Sequence, residues 1–171
     1  AMSSNSNGRR RVVITGMGVV SPLGLSVEKF WGNLVQGNSG IAPITLADTS
    51  SFPSKIAGEV SDFDPTQYVN RKEARRMARF SQLAVAAAGM AIEDADLDLS
   101  KEDEDRVGIV MGNGNGGFPT TEENAKTLFK RGGMKTSPHF IPMVLPNMPA
   151  ANVSRTYGIK GYTSTIITAC A

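Results

Sequence analysis

Cysteine is almost missing from this chain: Cys170 is the only one in 171 residues, so no internal disulfide can form and nothing points to a secreted, cross-linked domain. A reducing compartment is the default, and the cytoplasm is the expected location. Histidine is equally scarce, with His139 alone. Long apolar runs are lacking too. The stretch "LAVAAAGMAI" is far too short to span a bilayer. "VVITGMGVV", which follows three arginines, is broken by Gly16 and Gly18 and leads to no small-residue cleavage site, so it reads as a strand and not as a signal peptide. Neither sign of charge dominates: 18 Lys and Arg against 16 Asp and Glu leave +2, too little to hold nucleic acid by bulk attraction. No interleaved aromatics or second basic stripe supports such binding either. There is no short internal repeat, and no low-complexity tract beyond the opening "AMSSNSNG"; residues 1–10 read as a disordered tail or an expression scar.

What is present is enough apolar residue, 40%, for one domain with a real core or for half of a larger one. "RVVITGMGVV" has the β-branched content of a strand. Ser26 is placed to cap a helix from Val27 to about Gln36, closed by Gly37. A loop rich in proline, glycine and serine follows, with a short strand near "KIAGEV". Asn70 is expected to cap a long helix, with Glu73 reaching back in a capping box. The apolar positions Met77, Phe80, Ala84, Ala87, Ala91 and Ile92 recur at helical spacing, and the abundant alanine allows a neighbouring backbone to come close. "RVGIVMG" reads as a strand, "GNGNGGF" as a loop, and "TTEENAKTLFKRGG" as a helix with a threonine cap and a glycine stop. "SPHFIPMVLPNMP" holds too much proline for one regular element, "AANVSRTYG" reads as a helix ended by Gly158, and "YTSTIITA" as a strand. Strands separated by helices argue for an α/β protein with a largely parallel, buried sheet.

Three features carry chemistry. Gly112, Gly114 and Gly117 form a G-x-G-x-x-G between a strand and a helix, the context of a dinucleotide-binding turn and so of a nucleotide-dependent oxidoreductase. Against this, the helix is expected to start only at Thr120 or Thr121, too far on for a phosphate, and Thr136 and Ser137 stand where a ribose-binding acid belongs. Glycines that let the backbone pass something bulky are the other reading. Lys72, Arg75, Arg76 and Arg79 crowd the first turns of a helix, where cations oppose the dipole; local stability does not explain them, and an acidic partner or a solvated face does. Finally, "TSTIITACA" ends on Cys170, either a small buried hydrophobe or a nucleophile at the carboxyl edge of a sheet.

"RVVITGMGVVSPLG", "RKEARRMARFSQLAVAAAGMAIEDADL", "GNGNGG", "SPHFIPMVLPNM" and "TACA", in unbroken order from Arg11 to Ala171, resemble the β-ketoacyl-acyl-carrier-protein synthases, closest to the type II elongating enzyme. The resemblance implies a thiolase-like layered fold, of which residues 11–171 would be the N-terminal half, with a mostly parallel mixed sheet flanked by helices, in a homodimer. It implies that Cys170 takes the growing acyl chain as a thioester, and that a carrier-bound malonyl unit then condenses with it after losing carbon dioxide. The family's two histidines, its lysine and its second oxyanion donor lie downstream of the matched part, while the N–H of Cys170 would be the first donor. The expected partners are acyl and malonyl thioesters and an acidic acyl carrier protein, with no cofactor, metal, nucleic acid or membrane.

By the same resemblance Asn115 lies beside the acyl tunnel, where isoleucine is usual, and Phe140 and Ile141 close the far end of the partner's tunnel at the dimer interface. An amide is a poor neighbour for a methylene chain unless it finds hydrogen-bond partners, so a polyketide-type substrate is the alternative to a fatty acyl chain. Lys72, Arg75 and Arg76 would dock the carrier protein, with Lys135 as a further candidate. His139 stands where an aromatic residue is usual and is expected to be a packing substitution. A non-catalytic chain-length subunit shares the fold but usually lacks the cysteine.

Overall fold

The computed structural model describes residues 11–170, so the expectation for the first ten residues lies outside the described part. Helix α1, Val27–Val35, begins where Ser26 Oγ accepts from Lys29 N at 3.2 Å, which satisfies one of the donors a helix start leaves open. Strands β1, Ile41–Pro43, and β2, Ile56–Gly58, pair antiparallel with Ile41 opposite Gly58. The stretch holding β1 was expected to be loop. Glu59 closes this ladder by accepting from the Thr45 hydroxyl at 2.7 Å and from the N–H groups of Thr45 and Leu46. Those bonds hold its carboxyl below the usual carboxylate range, the Thr45 hydroxyl foremost.

The long helix expected from Asn70 is two helices. Asn70 Oδ1 does cap α2, Arg71–Ala74, by accepting from Glu73 N at 3.0 Å, but α2 stops after four residues and α3, Arg79–Asp94, starts anew behind Ala78. The turn between them is pinned by tertiary contacts. Met77 and Ala78 are buried, and Gln82 Nε2 reaches back to the carbonyls of Ala74 and Met77 at 2.9 and 3.3 Å. The Arg79 guanidinium donates to the carbonyls of Val60 and Phe63 and lies 4.8 Å from the centre of the Phe63 ring. Helix propensity is too weak a preference to resist anchors of this kind.

Strand β3, Ile109–Gly112, is followed by α4, Phe118–Arg131, α5, Phe140–Val144, and α6, Met148–Tyr157, before β4, Thr163–Ile166, returns parallel to β3. Helices α3 and α6 pack on each other and α6 on both strands. The core between them is Met77, Val85, Ile109, Ala150, Val153 and Ile159. Each large side chain among these contributes roughly 1.5–3 kcal/mol by leaving water. Tyr157 donates its hydroxyl to Val85 O at 2.9 Å, and burial pushes its phenol up from the ordinary value.

The α/β character is as expected, but the pairing is less extensive. Among the described residues there is one parallel and one antiparallel two-stranded sheet, and "RVVITGMGVV" pairs with neither. It lies instead across α3, where a Cβ on Gly16 or Gly18 would collide with the carbonyl oxygens of Ala91 and Ala87, and where Met17 N donates to Asp94 Oδ2 at 2.8 Å. The alanines of α3 thus admit a backbone, as expected. The buried residues of α3 are Ser81, Val85 and Ala86, with Val85 packed among Ala150 and Val153 of α6, while Ala87 and Ala91 are half-buried under the N-terminal segment.

Candidate functional site

In a parallel pair both strands leave at the same edge, so whatever follows β3 and β4 is brought together there. The pair ends with Gly112 opposite Ile166, and Asn113 N extends the ladder by donating to Ile166 O at 3.0 Å. From this edge emerge the glycine loop, residues 113–117, and the segment 167–170 that ends in Cys170.

Cys170 is a free thiol and is exposed among the described residues. The residue before it, Ala169, lies at φ 50, in the left-handed region that costs a side-chain-bearing residue about 1–2 kcal/mol. Strain of this sort persists only where the surroundings enforce it, and a sharp turn after a strand is how a nucleophile is lifted clear of a sheet edge. Asn115 sits in the facing loop, exposed, and makes no hydrogen bond among the described residues.

The glycine loop is shaped by close packing. Asn113 Nδ2 donates to Pro146 O at 2.7 Å, Gly117 N donates to Val144 O, and a Cβ on Gly116 would stand 2.6 Å from Val144 O. Helix α4 starts at Phe118, directly behind Gly117 and not at Thr120 or Thr121, with no threonine cap; the proline at its second position suits a helix start. Distance to the helix therefore does not argue against a phosphate, but the inner side of the turn is occupied by residues 144–146.

Phe140 and Ile141 open α5 and line an apolar cleft of about 330 Å³ with Ala125 and Leu128 of α4 and with Pro138. Asn115 and Cys170 do not line it, so the expected nucleophile and acyl-pocket residues fall into two places, the carboxyl edge and this cleft. His139 is exposed among the described residues, and at the start of α5 its N–H donates to Ser137 Oγ.

Arg75 and Lys135, far apart in sequence, meet at a polar cleft of about 340 Å³ with Thr120, Glu123 and Thr127. Lys72 and Arg75 are exposed and pair with no carboxylate among the described residues, whereas Arg76 Nη1 stands 3.7 Å from Glu73 Oε1. Glu73 does not close the expected capping box. Its other oxygen accepts from Arg155 Nη2 of α6 at 2.7 Å, across 82 residues of sequence. No local pattern in the sequence marks Arg155.

The β-ketoacyl synthase, N-terminal domain family matches residues 9–171. The chain is 46% identical over 162 residues to 3-oxoacyl-[acyl-carrier-protein] synthase 2 of Coxiella burnetii, covering 95% of this chain and 39% of that protein. It is 43% identical over 162 residues to the protein of the same name in Staphylococcus aureus strain COL, with the same coverage. Among solved structures, the ishigamide ketosynthase/chain length factor superposes with a TM-score of 0.87 at 33% identity, over 95% of this chain and 41% of that one. A type II PKS ketosynthase, bound to the hexaketide and in complex with its acyl-carrier protein, superposes at 0.77 with 30% identity, over 94% and 42%. The chain therefore spans about two fifths of the length of the curated relatives it matches.

Proposed function

Because the chain belongs to the β-ketoacyl synthase family, we propose that residues 11–171 form the N-terminal domain of a 3-oxoacyl-carrier-protein synthase and supply its acyl-accepting thiol, Cys170. The observation that carries this is the exposed sulfur one residue beyond a left-handed Ala169, at the edge where a parallel strand pair ends. The thiolate of Cys170 attacks the carbonyl of an acyl thioester, and the carrier's thiol leaves with the proton that Cys170 gave up. The acyl group is then held as an enzyme thioester at little net cost, because one thioester replaces another. Malonyl-carrier loses carbon dioxide, and its C2 carbanion attacks the same carbonyl. A carbon–carbon bond forms, the carbon–sulfur bond to Cys170 breaks, and the thiolate is restored beside a 3-oxoacyl-carrier product longer by two carbons. Backbone N–H groups aimed at the developing oxyanion lower both barriers, and in this reading the N–H of Cys170 is one of them.

The acidic carrier docks on Lys72, Arg75, Arg76 and Lys135, a reading supported by the convergence of Arg75 and Lys135 on one cleft and by the unpaired state of Lys72 and Arg75. Phe140 and Ile141 line the acyl path. The working unit is a homodimer in the cytoplasm. No helix among the described residues is long and apolar enough to cross a membrane.

The test is acyl transfer in the full-length protein. Incubation with acyl-carrier thioester should add one acyl mass, lost in Cys170→Ala, and iodoacetamide should block Cys170 faster than it does a free thiol. An acyl adduct that survives in Cys170→Ala would overturn the assignment. One observation favours a second reading, a polyketide-type ketosynthase: Asn115 presents an unspent amide beside the reacting edge. Under that reading Asn115→Ile shifts kcat/KM from 3-oxoacyl toward saturated acyl thioesters by about tenfold. An unchanged ratio leaves the fatty-acyl reading alone.

A further inference from the structure

The stretch from Asn70 to Arg79 holds five cations, Arg71, Lys72, Arg75, Arg76 and Arg79, and one carboxylate, Glu73. Helix α2 has four residues, far fewer than a helix needs to persist by itself, so its orientation must come from outside. Asn70 supplies a cap and Gln82 holds its last carbonyl. The third tie is Arg155, whose guanidinium takes Glu73 Oε2 at 2.7 Å and is steadied by the buried Asn152 through Oδ1 at 3.2 Å. A pair this exposed contributes little to global stability. Its effect is local: Arg155 takes one oxygen of the stretch's only carboxylate and Arg76 stands 3.7 Å from the other, so Lys72 and Arg75 pair with no acid of that stretch, while Glu123 of α4 lines Arg75's cleft without pairing with it.

We infer that Arg155 and Glu73 are positioning residues that orient the basic α2 turn for the acidic carrier protein. This rests on the docking reading given above. The clamp and simple charge counting differ in sign. If only net charge mattered, Glu73→Gln would add positive potential and tighten the carrier; if the clamp orients the turn, the same variant loosens it.

The experiment measures binding of fluorescently labelled acyl carrier protein to the full-length protein by polarisation, together with KM and kcat for the carrier-bound thioester. Arg155→Ala and Glu73→Gln should each raise Kd and KM by about three- to tenfold with kcat unchanged. The double variant should be no worse than either single one, and Arg155→Lys should recover part of the loss. Thermal melting of each variant shows that the fold persists, and the isosteric Glu73→Gln serves if Arg155→Ala does not fold. Tighter carrier binding by Glu73→Gln, or losses that simply add in the double variant, would overturn the clamp. Lys72→Ala and Arg75→Ala that leave Kd unchanged would overturn the docking reading itself, and the clamp with it.

Discussion

Ser81 of α3 has 0% exposure, and its hydroxyl has no hydrogen-bond partner among the described residues. A buried hydroxyl without a partner has given up its bonds to water for nothing, at a cost of roughly 1–3 kcal/mol. Tyr157, one helix away, shows the satisfied alternative, its hydroxyl held by Val85 O. Ser81→Ala should therefore stabilise the protein by about 1 kcal/mol, read as a raised Tm. A lowered Tm would mean that the hydroxyl is bonded in solution or that its volume is needed. The sequence gives no warning of this residue, because serine at a helical position reads equally well as exposed. The same blindness applies to Arg155: its partner Glu73 is 82 positions away in α2, and only the way the chain folds brings α6 to it.

Elements that depend on their own sequence came out as read. Helix α1 has its Ser26 cap, α6 ends before Gly158 at φ 71, and β3 and β4 occupy the β-branched runs assigned to them. Elements that depend on a neighbour did not. The run Val12–Val20 has strand composition, but a strand exists only with a ladder beside it, and two glycines seat this segment on α3 instead. The periodicity from Met77 to Ile92 could not show that α3 begins at Arg79, since the break is imposed by Gln82 and Arg79 reaching other segments. The candidate site divides along the same line. That Cys170 would stand at a strand's carboxyl edge was legible from "STIITACA", because position after a strand is local. That Arg75 would share a cleft with Lys135 while Phe140 and Ile141 share another with α4 was not, because both depend on how the α4–α5 segment folds back.

At the scale of the molecule, charge balance sets how the fold meets acid. Four carboxylates, Asp48, Glu59, Asp64 and Asp98, are held below their ordinary range by hydrogen bonds from nearby donors: Ser50 N–H for Asp48, the Thr45 hydroxyl for Glu59, Thr66 N–H for Asp64, and the Lys101 ammonium for Asp98. A group whose folded value is depressed binds a proton less readily folded than unfolded, so its stabilising share is full above the unfolded value and is lost as pH falls through the folded one. The unfolded values of Asp and Glu lie near 4, so the loss begins just above about pH 4 and deepens below it. Protonation also strips the chain of its counter-charge: with all 16 acids neutral, the 18 Lys and Arg stand without an opposing charge. Both effects push the same way, and the second is screened by salt. Urea midpoints should therefore be flat from pH 7 to 5, fall below about pH 4, and fall less in 0.5 M salt. Glu59→Gln, which removes the carboxylate that closes the β1–β2 ladder, should make the midpoint lower at neutral pH and its decline in acid shallower. A midpoint that rises on acidification would mean that these hydrogen bonds do not favour the charged carboxylates in solution.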